Sequence, residues 1–227
     1  MTRFLNRSEA GRALAAALLD KAYRDPVILA LPRGGVPVAI EVARVLKAPM
    51  DLVMVRKIGV PYQPELAVAA VVNGDTPEIV VNHDVAAHCG LSRSDIDQLA
   101  KAQLVEIVRR RGVYLKGRTQ VPVKDRTAIV IDDGIATGAT IRASLRAVRR
   151  RDPARLVLAV PVAPADTIAS LRSEVDEIVC LSTPTSFGAI GAYYVDFQQT
   201  SDEDVIRFLD EAGQLEREKP SSSNGAP

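Results

Sequence analysis

Cysteine is scarce in this 227-residue chain: Cys89 and Cys180 are the only two, which excludes a disulfide framework. Histidine is as rare, and His83 and His88 beside Cys89 find no further ligand at usable spacing, so they do not make a zinc site. Neither sign of charge dominates. The net charge of +1 argues against a general nucleic-acid or membrane-surface binder. No apolar run is long enough to span a bilayer, and Met1-Thr2-Arg3-Phe4 opens no signal peptide, so the expected compartment is the cytoplasm. Tryptophan is absent and aromatic residues are few, which gives weight to the Phe and Tyr residues gathered near the C-terminus. What is present is the balance of a soluble protein with a real core, 47% apolar and 25% charged. One domain is expected over residues 1–213, with a disordered tail rich in Ser, Pro and charge over 214–227.

The chain is organised around Ala128-Ile129-Val130-Ile131-Asp132-Asp133-Gly134-Ile135-Ala136-Thr137-Gly138-Ala139-Thr140-Ile141. Its first four residues are apolar and mostly β-branched without alternation, the pattern of a strand buried on both faces. Two carboxylates follow where a parallel strand would end. The small-residue turn from Ala136 to Thr140 then leads into a helical pattern with Ile141, Leu145 and Val148 on one side. Backbone N–H groups in such a turn, and the helix N-terminus behind it, suit a phosphate, with Thr137 and Thr140 as added hydroxyl donors. Asp132 and Asp133 cannot hold that phosphate, because like charges repel. They suit sugar hydroxyls, as acceptors, or a hydrated Mg²⁺ beside the sugar. A Walker A loop is excluded because no Gly-Lys-Ser/Thr closes the turn, and a GxGxxG loop because Gly134 and Gly138 are wrongly spaced. The bland alternative is a strand-end acid pair before a plain turn.

Two earlier stretches have the same strand-then-turn form. Val27 to Leu31 is an apolar strand cut by Pro32-Arg33-Gly34-Gly35, with a helix from Val36 to Lys47 that carries Pro37 in its first turn. Two glycines let backbone approach a ligand closely, and an Arg there can fork onto a phosphate. Asp51 to Val55 is a second strand, ended by Arg56-Lys57 and an exposed, non-helical loop through Glu65. Strands alternating with helices imply an α/β fold with a doubly wound, mainly parallel sheet, whose ligands bind at the carboxyl ends of the strands. Arg33, Arg56 and Asp132 all fall at such ends.

The 129–141 string resembles the phosphoribosyl-pyrophosphate (PRPP) signature of the type I phosphoribosyltransferases. The resemblance implies that Asp132 and Asp133 bind the ribose hydroxyls and that Ala136, Thr137, Gly138, Ala139 and Thr140 cradle the 5′-phosphate. It places Arg33, Gly34 and Gly35 in the pyrophosphate loop, which in adenine-type members often holds an unusual cis peptide. Arg56 and Lys57 open the family's mobile catalytic loop as pyrophosphate-side ligands, although Val60 and Pro61 stand where a further basic residue is expected. Ala136 replaces the Asp of hypoxanthine-type members and is more similar to adenine and uracil members. By weaker analogy Phe187 stacks on the acceptor and Asp196 faces a metal, with core packing as the alternative. The family further implies Mg²⁺, PRPP and a nucleobase-like acceptor, a role in nucleotide salvage, a homodimer, and a small hood built from the termini (183–213) or the 75–118 excursion. The rival reading is a non-catalytic PRPP-sensing regulator or binding protein; a hydrolase, or a transferase with a non-nucleobase acceptor, is a third.

The remaining stretches read as scaffold. Residues 8–23 form an amphipathic helix with Ser8 as N-cap and only packing in it. Strands are expected at 66–73 and 79–81 around a turn at 74–77, then a helix from 92 to 112 with Ser92 and Asp95 at capping-box spacing. Its basic end, Arg109-Arg110-Arg111, is either dipole compensation or leans Arg110 or Arg111 over the site. Glu65 orients Arg56 or Lys57, acts as a base, or makes a surface ion pair. Arg142, Arg146, Arg149 and Arg150 form an outer face, Pro161 and Pro164 stop a strand at 156–160, and a strand at 177–181 follows a helix at 166–172. Gly213 ends a helix begun at Ser201.

Overall fold

The computed structural model describes residues 3–72 and 78–217, apart from the side chains of Pro64, Glu65 and Glu78. The expected turn at 74–77, the role of Glu65 and the tail from 218 on lie outside the described residues. Five parallel strands make the central sheet in the order β2 (Met50–Leu52), β1 (Pro26–Ala30), β6 (Thr127–Ile131), β7 (Arg155–Val162), β8 (Glu177–Ser182). Unbroken apolar runs form its middle because both faces are covered. Ile28, Ala30, Ile129, Ile131, Val157 and Ala159 join the core on the side of α1 (Arg7–Leu19) and α2 (Gly35–Leu46), with α7 (Asp202–Arg217) beyond. Their neighbours Val27, Leu29, Ala128, Val130, Leu156 and Leu158 meet Ile141, Leu145 and Val148 of α5 (Ala139–Arg149) and Leu171 of α6 (Ala165–Leu171) on the other. So β1 and β6 are paired neighbours, Ala30 beside Ile131, whose following helices leave to opposite faces. The point where the following helices part, at the carboxyl edge, is the topological switch point of an open α/β sheet.

A second sheet, antiparallel in the order β3 (Val55–Val60), β4 (Gln63–Val72), β5 (Glu78–Val81), leads through α3 (His83–His88) into α4 (Arg93–Tyr114). This corrects the exposed loop expected at 56–65. The expected second strand splits at Val53-Met54, and its basic end continues as β3, paired Arg56 to Val71 and Lys57 to Ala70. Register shifts around Gly59 absorb the residues that hid the strand pattern. Asn6, not Ser8, caps α1 by accepting from the Glu9 amide. The strand β7 runs through Pro161 to Val162, because its ladder with β6 has ended at Ala159 and a missing N–H there breaks nothing. Helix α7 continues past Gly213 to Arg217, since Leu215 extends its apolar stripe onto the core. The capping box of Ser92 and Asp95 is formed as expected.

Candidate active site at the sheet edge

The turns after β1 and β6 touch. A Cβ added at Gly34 would lie 2.1 Å from Asp133 Oδ2, and one at Gly35 would lie 2.7 Å from the Ile131 carbonyl oxygen and 2.9 Å from Asp132 Cα. Both glycines have ordinary helical surroundings, so the reason for glycine is close approach. The peptide between Pro32 and Arg33 is cis. Past the acids, Ala136, Thr137 and Thr140 are exposed, and Gly138 takes a left-handed φ of +79° to turn the chain into α5. No side chain caps α5, so its first backbone N–H groups are left for a ligand or water.

The acids are not equivalent. Asp132 Oδ1 accepts the Asp133 amide at 2.9 Å. Asp133 is buried, and its Oδ2 is 2.7 Å from Arg7 Nε. Burial first, and then the neighbouring Asp133 charge, push Asp132 well above the usual carboxylate range. Burial also raises Asp133, against the opposing pull of Arg7. The Tyr194 hydroxyl donates to the Asp133 carbonyl at 2.6 Å, and burial pushes that phenol up. Arg7 and Tyr194 are site neighbours that sequence reasoning missed. Arg7 lies just before the helix expected at 8–23 and 126 residues from its partner, and only the gathering of aromatic residues near Tyr194 hinted at a structured segment there.

Arg33 is 3.4 Å from Asp202 at the start of α7, and the same Asp202 oxygen accepts the Tyr114 hydroxyl from α4 at 2.5 Å. That bond holds Asp202 below its ordinary value, while burial and then Asp202 push Tyr114 up to about 12. Arg56 donates from Nε to Gln103 Oε1 of α4 at 3.0 Å. Successive residues of a strand face opposite ways, so Lys57 shares its face with Val55, which packs on the α5 side. The basic pair therefore straddles its sheet. Beside Thr137 and Ala139, a cavity of about 260 Å³ opens between α5 and the small sheet, walled by Leu66, Ala67, Ala70 and Val81.

Other candidates stand apart. Phe187 stacks on Tyr193, ring centroids 5.3 Å apart, in a small aromatic cluster. Asp196 is exposed, donates its amide to the Leu5 carbonyl and accepts the Gln198 amide at 3.2 Å. Arg110 bonds Glu106 on its own helix, and Arg111 lies near Asp51 at the base of β2. Arg142 and Arg146 both grip Glu174, and Arg149 pairs with Asp176, so much of the basic face of α5 is tied down within the chain. His83 and His88 bound α3, with Cys89 as its C-cap.

A family profile described as "Phosphoribosyl transferase domain" matches residues 3–198. The chain belongs to the phosphoribosyl transferase family. Relatives agree with the family assignment. "Putative phosphoribosyl transferase Rv0571c" of Mycobacterium tuberculosis H37Rv is 45% identical over 212 residues, covering 93% of this chain and 47% of that protein. The same figures hold for "Putative phosphoribosyl transferase MT0597" of M. tuberculosis CDC 1551. The chain thus spans about half the length of the curated relatives it matches. The crystal structure of TT1426 from Thermus thermophilus is 41% identical with a TM-score of 0.84, over 92% of this chain and 99% of that one. The fold is the mostly parallel sheet with flanking helices and small antiparallel sheet of this transferase family. Among the described residues, no helix is long and apolar enough to cross a membrane.

Proposed function

We propose that the chain transfers the phosphoribosyl group of Mg²⁺-bound PRPP to a nucleobase-like acceptor and releases pyrophosphate. The observation that carries the proposal is the contact of the two turns, with Gly34 against Asp133 and Gly35 against Asp132. A diphosphate on the first turn and a ribose on the acids would then belong to one ligand. On this reading the 136–140 turn and the uncapped amides of α5 hold the 5′-phosphate, and Asp132 and Asp133 accept ribose hydroxyls. The C1′–oxygen bond breaks with its electron pair leaving on pyrophosphate, a nitrogen lone pair of the acceptor forms the new bond at C1′, and the acceptor's N–H proton passes to water or to the released pyrophosphate. Arg33, Lys57 and Arg56 stabilise the departing charge, and positioning supplies the rest of the rate enhancement.

Mg²⁺ fits this donor set as an ion brought by the substrate. Among the described residues no group of three or more His, Cys, Asp or Glu could hold a metal, so diphosphate oxygens and water would be its main ligands, with the acids beyond that water. Bound there, Mg²⁺ would neutralise charge on the diphosphate. The proposal takes in a cytoplasmic homodimer acting in nucleotide salvage, with a hood formed by the 75–118 excursion and the terminal segments around Arg7 and Tyr194.

One observation favours the rival, a PRPP-binding regulator without turnover: residues 55–60 form a paired strand, with Arg56 bonded to α4, in place of a loop that closes. Pyrophosphate release from Mg²⁺-PRPP across a panel of purines and pyrimidines separates the two, with Asp132→Asn/Asp133→Asn as blank. Release with one base supports the transferase. Silence from every base with PRPP binding retained overturns the nucleobase transferase and supports the regulator or a non-nucleobase acceptor, and absence of PRPP binding overturns all of these.

A further inference from the structure

We infer that Arg7 is a positioning residue that gives the acid pair its selectivity for a ribose diol. The inference rests on the ribose reading of Asp132 and Asp133 above. Arg7 is itself held on three sides. Its Nε bonds Asp133 Oδ2 at 2.7 Å, its NH1 donates to the Gln198 carbonyl at 2.7 Å, and its guanidinium carbon lies 3.9 Å from the centroid of the Phe197 ring. That ring stacks on Tyr194 at 5.0 Å and fills the space a side chain at Gly191 would need. The backbone on either side of Arg7 is fixed too. The Phe4 amide donates to the Tyr193 carbonyl, the Val195 amide donates back to Phe4, and Asn6 caps α1. Only 11% of the Arg7 side chain and 10% of the Asp133 side chain meet solvent, so the pair is not a surface contact that comes and goes.

The consequence lies in which oxygens remain. Arg7 occupies Oδ2 of Asp133, and the Asp133 amide occupies Oδ1 of Asp132. The two carboxyls also bond each other, and the Gly34 backbone lies close against Asp133, so the pair is held in one relative orientation. Acceptors fixed in that way match two vicinal hydroxyls. Without Arg7, Asp133 regains rotational freedom, and a single hydroxyl can satisfy it. The charged and titratable groups facing Asp133 are Arg7 from α1, Asp132 from its own turn, and Tyr194 from the segment after β8.

The test compares ribose 5-phosphate with 2-deoxyribose 5-phosphate by ³¹P NMR titration of the full chain. The wild type should prefer the ribose compound by about tenfold or more, as sites built to pair a hydroxyl reject the analogue lacking it. Arg7→Met should bring that ratio to within about twofold while binding of the deoxy sugar stays nearly unchanged, and Arg7→Lys should restore part of it. A merely structural role would weaken both sugars alike and leave the ratio standing. An unchanged ratio in Arg7→Met overturns the inference. If that variant does not fold, Arg7→Lys, which keeps the charge without the fork that holds Asp133, must lower the ratio below the wild-type value, and an unchanged ratio there overturns the inference equally. Wild-type protein that binds both sugars alike leaves the phosphate turn intact and overturns the inference alone. Wild-type protein that binds neither overturns the ribose reading and the inference with it.

Discussion

Two kinds of helix start meet in this molecule. Helices α1, α3 and α4 begin on side-chain caps, from Asn6, Asn82 and Ser92, and Ser201 and Asp204 exchange the same bonds at the start of α7. Helices α2, α5 and α6 begin with no side-chain cap, and the first two, on Gly34 and Gly138, follow the paired strands β1 and β6. Capped starts are closed local structures that need nothing further. The first amides of α2 are taken by its own turn, Gly35 donating to the Leu31 carbonyl and Val36 to the Arg33 carbonyl. The open donors at this edge are those of α5, where the chain could have supplied an Asn or Ser, and they suit a partner from outside.

The sharpest way to break this contrast is to put a side chain where the turns before α2 and α5 meet. Gly34→Ala would place its methyl carbon 2.1 Å from Asp133 Oδ2. PRPP binding should be lost, and stability should fall by about 1–3 kcal/mol, a Tm decrease of roughly 3–10 °C in thermal melts. A variant that melts and binds like the wild type would remove the turn contact from the argument.

Asp132→Asn should also abolish binding and turnover, yet with stability moving the other way. Both acids have folded-state values raised by burial, so what they contribute to stability is present at acid pH and lost as pH rises through those raised values. The unliganded wild type should therefore melt lower at neutral pH than just above the ordinary carboxylate range, so far as this pair governs it. Asp132→Asn should flatten that slope and melt higher at pH 7. A lower melting temperature at pH 7 would mean that the pair is satisfied without its ligand.

A smaller effect separates the two basic residues of β3. Lys57→Ala, on the α5 side, should slow pyrophosphate release by about 10²-fold, as loss of one charge-stabilising donor does. Arg56→Ala, whose guanidinium turns to Gln103, should cost less than about tenfold. The reverse order would mean that the small sheet swings when substrate binds. The mildest change tests the closed class: Ser92→Ala should cost about 1 kcal/mol and leave PRPP affinity as it was.

The parallel core was legible because its causes are local. Ile129-Val130-Ile131 is buried on both faces, and an acid pair before a small turn leaves few chemical options. Helix α4 was legible from Ser92 and Asp95 for the same reason. The β3–β4 hairpin was not, because Gly59, Pro61 and Pro64 look like a loop until a bulge absorbs the first of them. Pro161 misled because strand-breaking depends on whether a neighbour needs the missing N–H, which only the ladder reveals. Arg7 was invisible because nothing near it in sequence records a partner 126 residues away.

The bridge between Phe4 and Tyr194 also has a meaning in time. Translation delivers Arg7 191 residues ahead of Gln198, one of the contacts that hold its guanidinium together with Phe197. A growing chain can already hold β1, β6 and both acids side by side while the arginine meant for one of them still lacks its footing. The arginine pair is thus finished later than the acids it serves, and a nascent chain stalled short of the aromatic segment would hold Asp132 and Asp133 without the footing that aims Asp133.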